Sequence, residues 1–162
     1  HAIAQDRLPE LQSALEPTDD VDATLEGFRV SPASGPVQKN AELIEHVFSA
    51  SSVEEVLSRL DASGDEFAIK TAAAIRGKSP TSVLIAFEQM KRGALLDFNA
   101  CMKLEYRIVS QILKGDDFFE GIRAVVVDKD QSPKWTPNQL AQVDRAGLAS
   151  YFEEPFDGDL PL

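Results

Sequence analysis

Helix-capping signals recur along this chain, and they constrain its fold more than any other feature of the sequence. Ser79 and Pro80 place a hydroxyl cap and an N-terminal proline at the start of a helix predicted over 80–92. A second long helix is predicted over 97–114, and a glycine follows each of the two. Alternation of apolar and polar residues, which is typical of a half-buried strand, is nearly absent. The sequence therefore predicts a mainly α-helical protein.

The chain divides into four predicted segments. Residues 1–17 should contain a strand remnant, HAIA, and a first helix. Residues 18–36 mix Asp, Ser, Pro and Gly with few periodic apolar positions, which predicts a surface loop and the best internal hinge. Residues 37–154 should form a helical region, and the prolines in 155–162 predict a loose tail.

Three further helix starts can be read inside the helical region. A helix is predicted over 37–48, and Ser51 with Glu54 forms a capping box that should open the next one. Thr136 and the proline after it predict another helix to about Val143. The two longest helices carry apolar stripes that are expected to face a core, namely Val83, Phe87 and Met90 in the first and Phe98, Cys101, Leu104, Ile108 and Ile112 in the second.

Length and composition indicate one ordinary globular protein in a soluble compartment. The chain has 162 residues, of which 43% are hydrophobic and 27% charged. It has no apolar run near the ~18 residues that span a bilayer and no signal-peptide pattern, so no membrane association is predicted. A start at His1 rather than Met suggests a fragment or a processed chain, and the single cysteine excludes an internal disulfide.

Charge is unevenly distributed along the sequence. The net charge of -11 argues against a nucleic-acid partner. Residues 70–134, however, hold 11 basic and 8 acidic side chains, whereas the rest of the chain holds 5 basic and 19 acidic ones. The middle could therefore face an anion, although a chance mixture on a solvated face explains the counts equally well.

No residue of the sequence stands out as a catalytic group, although acidic residues such as Asp130 are plentiful. The only histidines are His1, at the terminus, and His46, beside a glutamate on a predicted helix, so no nucleophilic triad can be assembled. No His or Cys spacing fits a metal site, and no glycine-rich phosphate loop is present. We therefore predict no catalytic and no metal-binding residue in this chain.

Three motifs carry a family resemblance. They are SPTS at 79–82, LEYR at 104–107 and DFFEGIRAVVVDKDQSPKW at 117–135. In this order and spacing they resemble the C-terminal portion of the 3-hydroxyisobutyryl-CoA hydrolase family, whose members are thioesterases of the crotonase, or enoyl-CoA hydratase/isomerase, superfamily. The resemblance is strongest over 67–135.

The resemblance implies a helical C-terminal region of a crotonase-like protein, without the β-spiral core. In that superfamily the oxyanion-hole amides and the catalytic acids belong to the spiral, and none of those motifs occurs here. The implied parent reaction is hydrolysis of 3-hydroxyisobutyryl-CoA to 3-hydroxyisobutyrate and CoA in valine breakdown. It needs no cofactor, because CoA is part of the substrate, and the isolated chain is expected to be inactive.

The resemblance also suggests substrate-binding residues. In related hydratases an aromatic residue and a lysine that match Phe118 and Lys129 can lie near the adenine of CoA. Lys134 adds a second cation for the phosphates, which a CoA site needs beside an aromatic platform. The competing interpretation is that the phenylalanines belong to the core, which is the more common place for aromatics on an amphipathic helix.

Partners and alternatives follow from the same resemblance. An acyl-CoA substrate, an N-terminal crotonase domain and self-association are the expected partners, in the cytoplasm of a bacterium or the mitochondrial matrix of a eukaryote. Another crotonase activity, such as enoyl-CoA hydration or isomerisation, stays open. So does a non-enzymatic helical binding or assembly module with an acidic surface.

Overall fold

The computed structural model describes residues 2–31 and 35–162, and the chain forms two compact units, His1–Ile44 and Glu45–Leu162. Regular structure in the described residues is helical, apart from an isolated antiparallel bridge between Ile3 and Arg29. The predicted mainly α fold class is therefore confirmed.

The helices of the described residues follow one another along the chain. In chain order the α-helices are α1 (Leu8–Leu15), α2 (Val21–Phe28), α3 (Pro36–Lys39), α4 (Ala41–Phe48), α5 (Val53–Ser63), α6 (Glu66–Arg76), α7 (Pro80–Gly93), α8 (Phe98–Ile112) and α9 (Asp116–Ile122). Helix α9 continues into a π-helical turn, Arg123–Val127, and 3-10 turns occupy Gln5–Arg7, Leu140–Gln142 and Gly147–Phe152.

The segment 18–36, predicted as a loop, contains helix α2. The Asp20 carboxylate caps this helix by accepting a hydrogen bond from the amide of Ala23 at 2.9 Å, and Phe28 at its end is buried. One cap and one buried aromatic are enough to form two helical turns, although the segment has few periodic apolar residues. Residues 32–34 lie outside the described residues, and the hinge role of the segment stays a prediction.

The predicted strand remnant HAIA forms no strand in its described part. Besides the Ile3 bridge, the amide of Val30 donates to the carbonyl of Ala2 at 2.9 Å. This pairing lies within the first unit, between the N-terminal residues and the end of α2. His1 lies outside the described residues.

Two predicted helices differ from the structure, namely the one over 37–48 and the one that the capping box should open. The helix expected over 37–48 is interrupted at Asn40, which separates α3 from α4. The cap of α5 is Ser52, whose Oγ accepts from the amide of Glu55 at 3.2 Å, while Ser51 binds the Glu55 carboxylate. The cap therefore lies one residue later than predicted, and the reciprocal bond to Glu55 comes from Ser51 and not from the capping serine. Two adjacent serines and two adjacent glutamates offer the same sequence pattern twice.

The core of the second unit begins with α5 and α6, which form a hairpin at Gly64. This glycine has φ 65°, a left-handed conformation that favours glycine at a helix end. Leu60 is 1% exposed and is the largest fully buried side chain of the hairpin. The other buried apolar residues of this part of the chain are Val47, Ala50, Val53, Val56, Leu57, Ala68 and Ala72.

A second cluster joins α7, α8 and the 3-10 turn at 147–152. Its buried members are Ile85, Leu104, Ile108 and Phe152, with Ile112, Leu148 and Tyr151 packed against them. The predicted stripe of α8 is thus confirmed at its centre, whereas Phe98 at its start is 75% exposed. On α7 the buried residues are Leu84 and Ile85, and the predicted Met90 is 75% exposed.

The C-terminal quarter differs most from the prediction. Thr136 starts no helix, and its amide donates to the carboxylate of Asp117 at 2.9 Å. Within the predicted tail, 155–162, Asp159 forms a two-bond ion pair with Arg107 of α8. Arg107 also donates to the carbonyl of Phe152 at 3.2 Å, which ties the tail to the second cluster.

We predict that Leu60→Ala lowers the free energy of unfolding by about 2–5 kcal/mol, because it opens a cavity at a fully buried site. Urea unfolding followed by circular dichroism measures the effect. Leu95→Ala is the matched control: Leu95 is 89% exposed, so its loss should change stability by less than about 0.5 kcal/mol. Equal effects of the two changes would contradict the assigned core.

Candidate functional site

The carboxylate of Asp117 joins two of the sequence motifs. Ser79, at the start of α7, donates its hydroxyl to Oδ2 of Asp117 at 2.5 Å, and the amide of Thr136 donates to Oδ1 at 2.9 Å. Ser79 also caps α7, accepting from the amide of Ser82 at 3.1 Å, and is only 4% exposed. Asp117 therefore holds together the start of α7, the start of α9 and the segment after Trp135.

Trp135 completes this junction from the other side. Its indole Nε1 donates to the carbonyl of Gly77 at 3.0 Å. A Cβ placed on Gly121 would come within 3.4 Å of the Trp135 ring, so the indole lies close against α9. The tryptophan thus anchors the segment after α9 to the turn before α7.

A cavity of about 490 Å³ opens at this junction. Most of its lining surface is apolar, although polar and charged residues contribute to it, and Phe118 in the lining is 39% exposed. Phe118 packs edge to face against Phe119, with ring centroids 5.5 Å apart. Burial raises the pKa of the Tyr151 hydroxyl in the same cavity, and the nearby carboxylate of Asp117 adds to this effect. The cavity could accept a flat apolar group.

The segment after α9 is organised by Arg123. Its guanidinium donates to both carboxylate oxygens of Glu120 at 2.8 Å, to Asp128 and Asp130 at 2.7 Å, and to the carbonyl of Ser132 at 3.3 Å. These carboxylates raise the pKa of Arg123, Glu120 most of all. In return Arg123, followed by the amide of Lys134, lowers the pKa of Glu120 to about 2.

Both predicted lysines lie on this segment. Lys129 is exposed. Its backbone has φ 57° and that of Gln131 has φ 55°, which are left-handed conformations unusual for residues other than Gly and Asn. Lys134 is exposed as well, and its amide donates to Glu120 at 2.6 Å. The structure thus brings Lys129 and Lys134 onto one segment that is held by the Arg123 and Glu120 pair.

Phe118, the third predicted residue, lies on the cavity rather than with these lysines. The cation that lines the cavity is Lys78, which sequence reasoning missed. Its position directly before the Ser79 cap was the available signal, since a residue before a helix cap lies beside the helix N-terminus. Arg123 was also missed, because its four partners are three to nine residues away and only the fold of the segment unites them.

A separate groove of about 840 Å³ lies between α4, α5, α6 and α7. Val83, Phe87 and Met90, the predicted core stripe of α7, line this groove instead of the core. Three lysines, Lys70, Lys78 and Lys91, belong to its lining, and none of the described residues that line it is acidic. It is an apolar surface of the second unit with a basic margin.

His46 and the other potential metal ligands except His1 lie in the described part of the chain. His46 is exposed on α4, and its carbonyl accepts a hydrogen bond from Arg59. Within 2–31 and 35–162, no group of three or more His, Cys, Asp or Glu side chains could hold a metal ion. In the same residues no helix is both long and apolar enough to cross a membrane.

The comparisons with known proteins fit this architecture. The family model described as enoyl-CoA hydratase/isomerase matches residues 1–152. The chain therefore belongs to the enoyl-CoA hydratase/isomerase, or crotonase, family. A crystal structure of a carnitinyl-CoA dehydratase from Mycobacterium thermoresistibile has TM-score 0.86 and 29% identity, over 98% of this chain and 45% of that one. For an enoyl-CoA hydratase from Rhodobacter sphaeroides the values are 0.81 and 25%, over 99% and 46%.

Curated relatives carry a more specific name. The chain is 40% identical over 126 residues to the mitochondrial 3-hydroxyisobutyryl-CoA hydrolase of Danio rerio, which is 78% of this chain and 33% of that protein. It is 35% identical over 162 residues to the enzyme of the same name from Dictyostelium discoideum, over 94% of this chain and 42% of that protein. The chain thus spans less than half the length of these relatives.

We predict that Ser79→Ala lowers the free energy of unfolding by about 1–2 kcal/mol, because α7 loses its cap and Asp117 loses a donor. Ser82→Ala, an exposed serine in the first turn of the same helix, is the matched control. A double-mutant cycle with Asp117→Asn measures the coupling of Ser79 to Asp117. Strictly additive effects would contradict the contact.

Acid stability should depend on Glu120. Its pKa in the folded chain is about 2, below the ordinary value of 4.5, so its contribution to stability is complete above about pH 4.5 and is lost as the pH falls toward 2. We predict that Glu120→Gln lowers stability at pH 6 and flattens its decline between pH 5 and pH 2. Urea midpoints across this range provide the measurement. A decline as steep as in the unsubstituted chain would refute the assignment.

Proposed function

We propose that the chain is the C-terminal helical region of a CoA-thioester hydrolase that converts 3-hydroxyisobutyryl-CoA to 3-hydroxyisobutyrate and CoA, a step of valine breakdown. The observation that carries the proposal is the 40% identity to a relative of that name over 78% of this chain. The motifs at 79–82, 104–107 and 117–135 support it, since two of them meet at Asp117.

The C-terminal placement is supported by the secondary structure. The crotonase-type active site resides in a β-spiral, and the described residues of this chain are helical with one isolated bridge. Pairwise alignment with the full Danio rerio sequence tests the placement. We expect the match to fall in the last part of that protein, after its spiral. A match to the first part would overturn this half of the proposal.

The chemistry is proposed to lie outside this chain. Thioester hydrolysis requires a base for the attacking water and donors for the oxyanion. The described carboxylates with a shifted pKa, namely Glu55, Asp61, Glu120, Asp130 and Asp159, all have lowered values caused by hydrogen bonds. A lowered pKa makes a carboxylate a weaker base, so these groups fit structural ion pairs better than proton transfer.

The proposed contribution of this chain is substrate binding and assembly. Phe118 offers an aromatic edge at the cavity, and Lys129 and Lys134 offer cations for the phosphates of CoA. An N-terminal crotonase domain is the proposed partner, with self-association as a further contact. The reaction uses no cofactor, and the mitochondrial names of the curated relatives make the matrix one proposed location.

A second candidate is another reaction of the family, such as hydration of an enoyl-CoA. The observation in its favour is the likeness to a carnitinyl-CoA dehydratase at TM-score 0.86. Identity separates the two candidates, since it is 29% to that structure and 40% to the hydrolase of Danio rerio. The hydrolase is therefore the stronger proposal.

We predict that the purified chain alone does not hydrolyse 3-hydroxyisobutyryl-CoA above the buffer blank, because the catalytic groups lie elsewhere. Release of free CoA thiol, followed with a thiol-reactive dye, measures the rate. The separately expressed N-terminal part of the Danio rerio relative, added to the chain, should raise it. Crotonyl-CoA is the control substrate for hydration. Hydrolysis by the chain alone would refute the placement of the chemistry.

A further inference from the structure

The segment 128–134 carries two lysines that are surrounded by acidic side chains. Asp128 and Asp130 flank Lys129, and Glu120 accepts the amide of Lys134. Carboxylates on the same short segment compete with any phosphate for the lysine ammonium groups. A phosphate site on this segment therefore needs something that occupies the carboxylates.

Arg123 meets this need. We propose that Arg123, together with Glu120, is a positioning pair that occupies the acidic groups of the segment and so leaves Lys129 and Lys134 available to the phosphates of CoA. The inference rests on the proposed function, because it assumes that these lysines contact CoA. Neither the motifs nor the family resemblance assigns this positioning role to Arg123 or Glu120.

The hydrogen bonds of Arg123 show why it positions and does not bind the ligand itself. Its guanidinium makes five hydrogen bonds within the segment, to Glu120 twice and to Asp128, Asp130 and Ser132. A guanidinium has five N–H donors in a planar fork, so a phosphate would have to displace existing partners. Lys129 and Lys134 are exposed, and the charge of Lys134 also helps to lower the pKa of Glu120.

The backbone supports the same assignment. Left-handed conformations at Lys129 and Gln131 persist only where surrounding contacts impose them. Three backbone contacts do so, from the amide of Gln131 to the carbonyl of Ala124, from the amide of Ser132 to Asp130, and from the amide of Lys134 to Glu120. Asp130 and Glu120 are themselves held by Arg123, so the path of the segment past both lysines depends on the pair.

Calorimetric titration of the full chain with CoA tests the inference. Lys129→Ala and Lys134→Ala should each weaken CoA binding, which tests the proposed site. Arg123→Met should weaken it about tenfold, the equivalent of roughly one charge-assisted hydrogen bond. Arg76→Met is the matched control, since Arg76 forms a two-bond pair with Asp61 on the α5 and α6 hairpin and should leave CoA binding unchanged.

A double-mutant cycle separates positioning from other roles. Combined with Lys129→Ala, the Arg123→Met change should cost less affinity than it does alone, because part of its effect passes through Lys129. Circular dichroism of each variant checks that the fold is retained, and Arg123→Lys, which keeps the charge without the fork, should fall between Arg123→Met and the unsubstituted chain.

Each outcome has a distinct meaning. If neither lysine variant changes CoA binding, the proposed site is refuted and the inference falls with it. If the lysine variants weaken binding but Arg123→Met does not, or does so by the same factor with and without Lys129, only the positioning role is refuted. Non-additive loss together with an unaffected Arg76→Met supports it.

Discussion

The carboxylate of Asp117 is the contact on which the arrangement of the second unit depends. It accepts from the buried hydroxyl of Ser79 and from the amide of Thr136, residues 38 and 19 positions away in sequence. A charged acceptor with two donors of this kind is worth more than a neutral hydrogen bond and specifies one geometry. It fixes where α7 begins relative to α9, and the cavity beside Phe118 exists because of that spacing.

The rest of the unit is closed by ionic contacts to the C-terminal residues. Arg107 of α8 holds Asp159 and the carbonyl of Phe152, and the guanidinium of Arg92 lies 4.1 Å from the centroid of the Phe152 ring. Both arginines converge on a buried aromatic of the second cluster. Since burial of Phe152 depends on the chain returning to α8, the last residues belong to the folded unit instead of trailing from it.

Helix caps and apolar periodicity predicted the local structure correctly, but they failed where contacts between residues distant in sequence determine the structure. The Ser79 cap and the α8 stripe were correctly read, because capping and periodicity act over a few residues. Thr136 carries the same cap-and-proline signal as Ser79 but starts no helix, and its amide instead contacts Asp117, a residue 19 positions earlier. The α7 stripe was correctly read as apolar, yet pattern alone cannot tell a buried face from one that lines an open groove. In the site, Phe118 was placed by its type, whereas Lys78 emerged only from the fold.

The basic residues in the middle of the chain differ in how they are paired with carboxylates. The arginines of 70–134 form ion pairs with carboxylates, as in Arg76 with Asp61, Arg92 with Glu88, Arg107 with Asp159, and Arg123 with Glu120, Asp128 and Asp130. The planar fork of arginine suits such fixed pairs, whereas the lysine ammonium is a flexible point charge. The arginines of this stretch are therefore all committed to carboxylates, two of them to acids outside 70–134, and the cations best placed for an anionic ligand are lysines. Salt should therefore weaken contacts between these exposed lysines and the phosphates of CoA more than it weakens the arginine–carboxylate pairs that shape the segment.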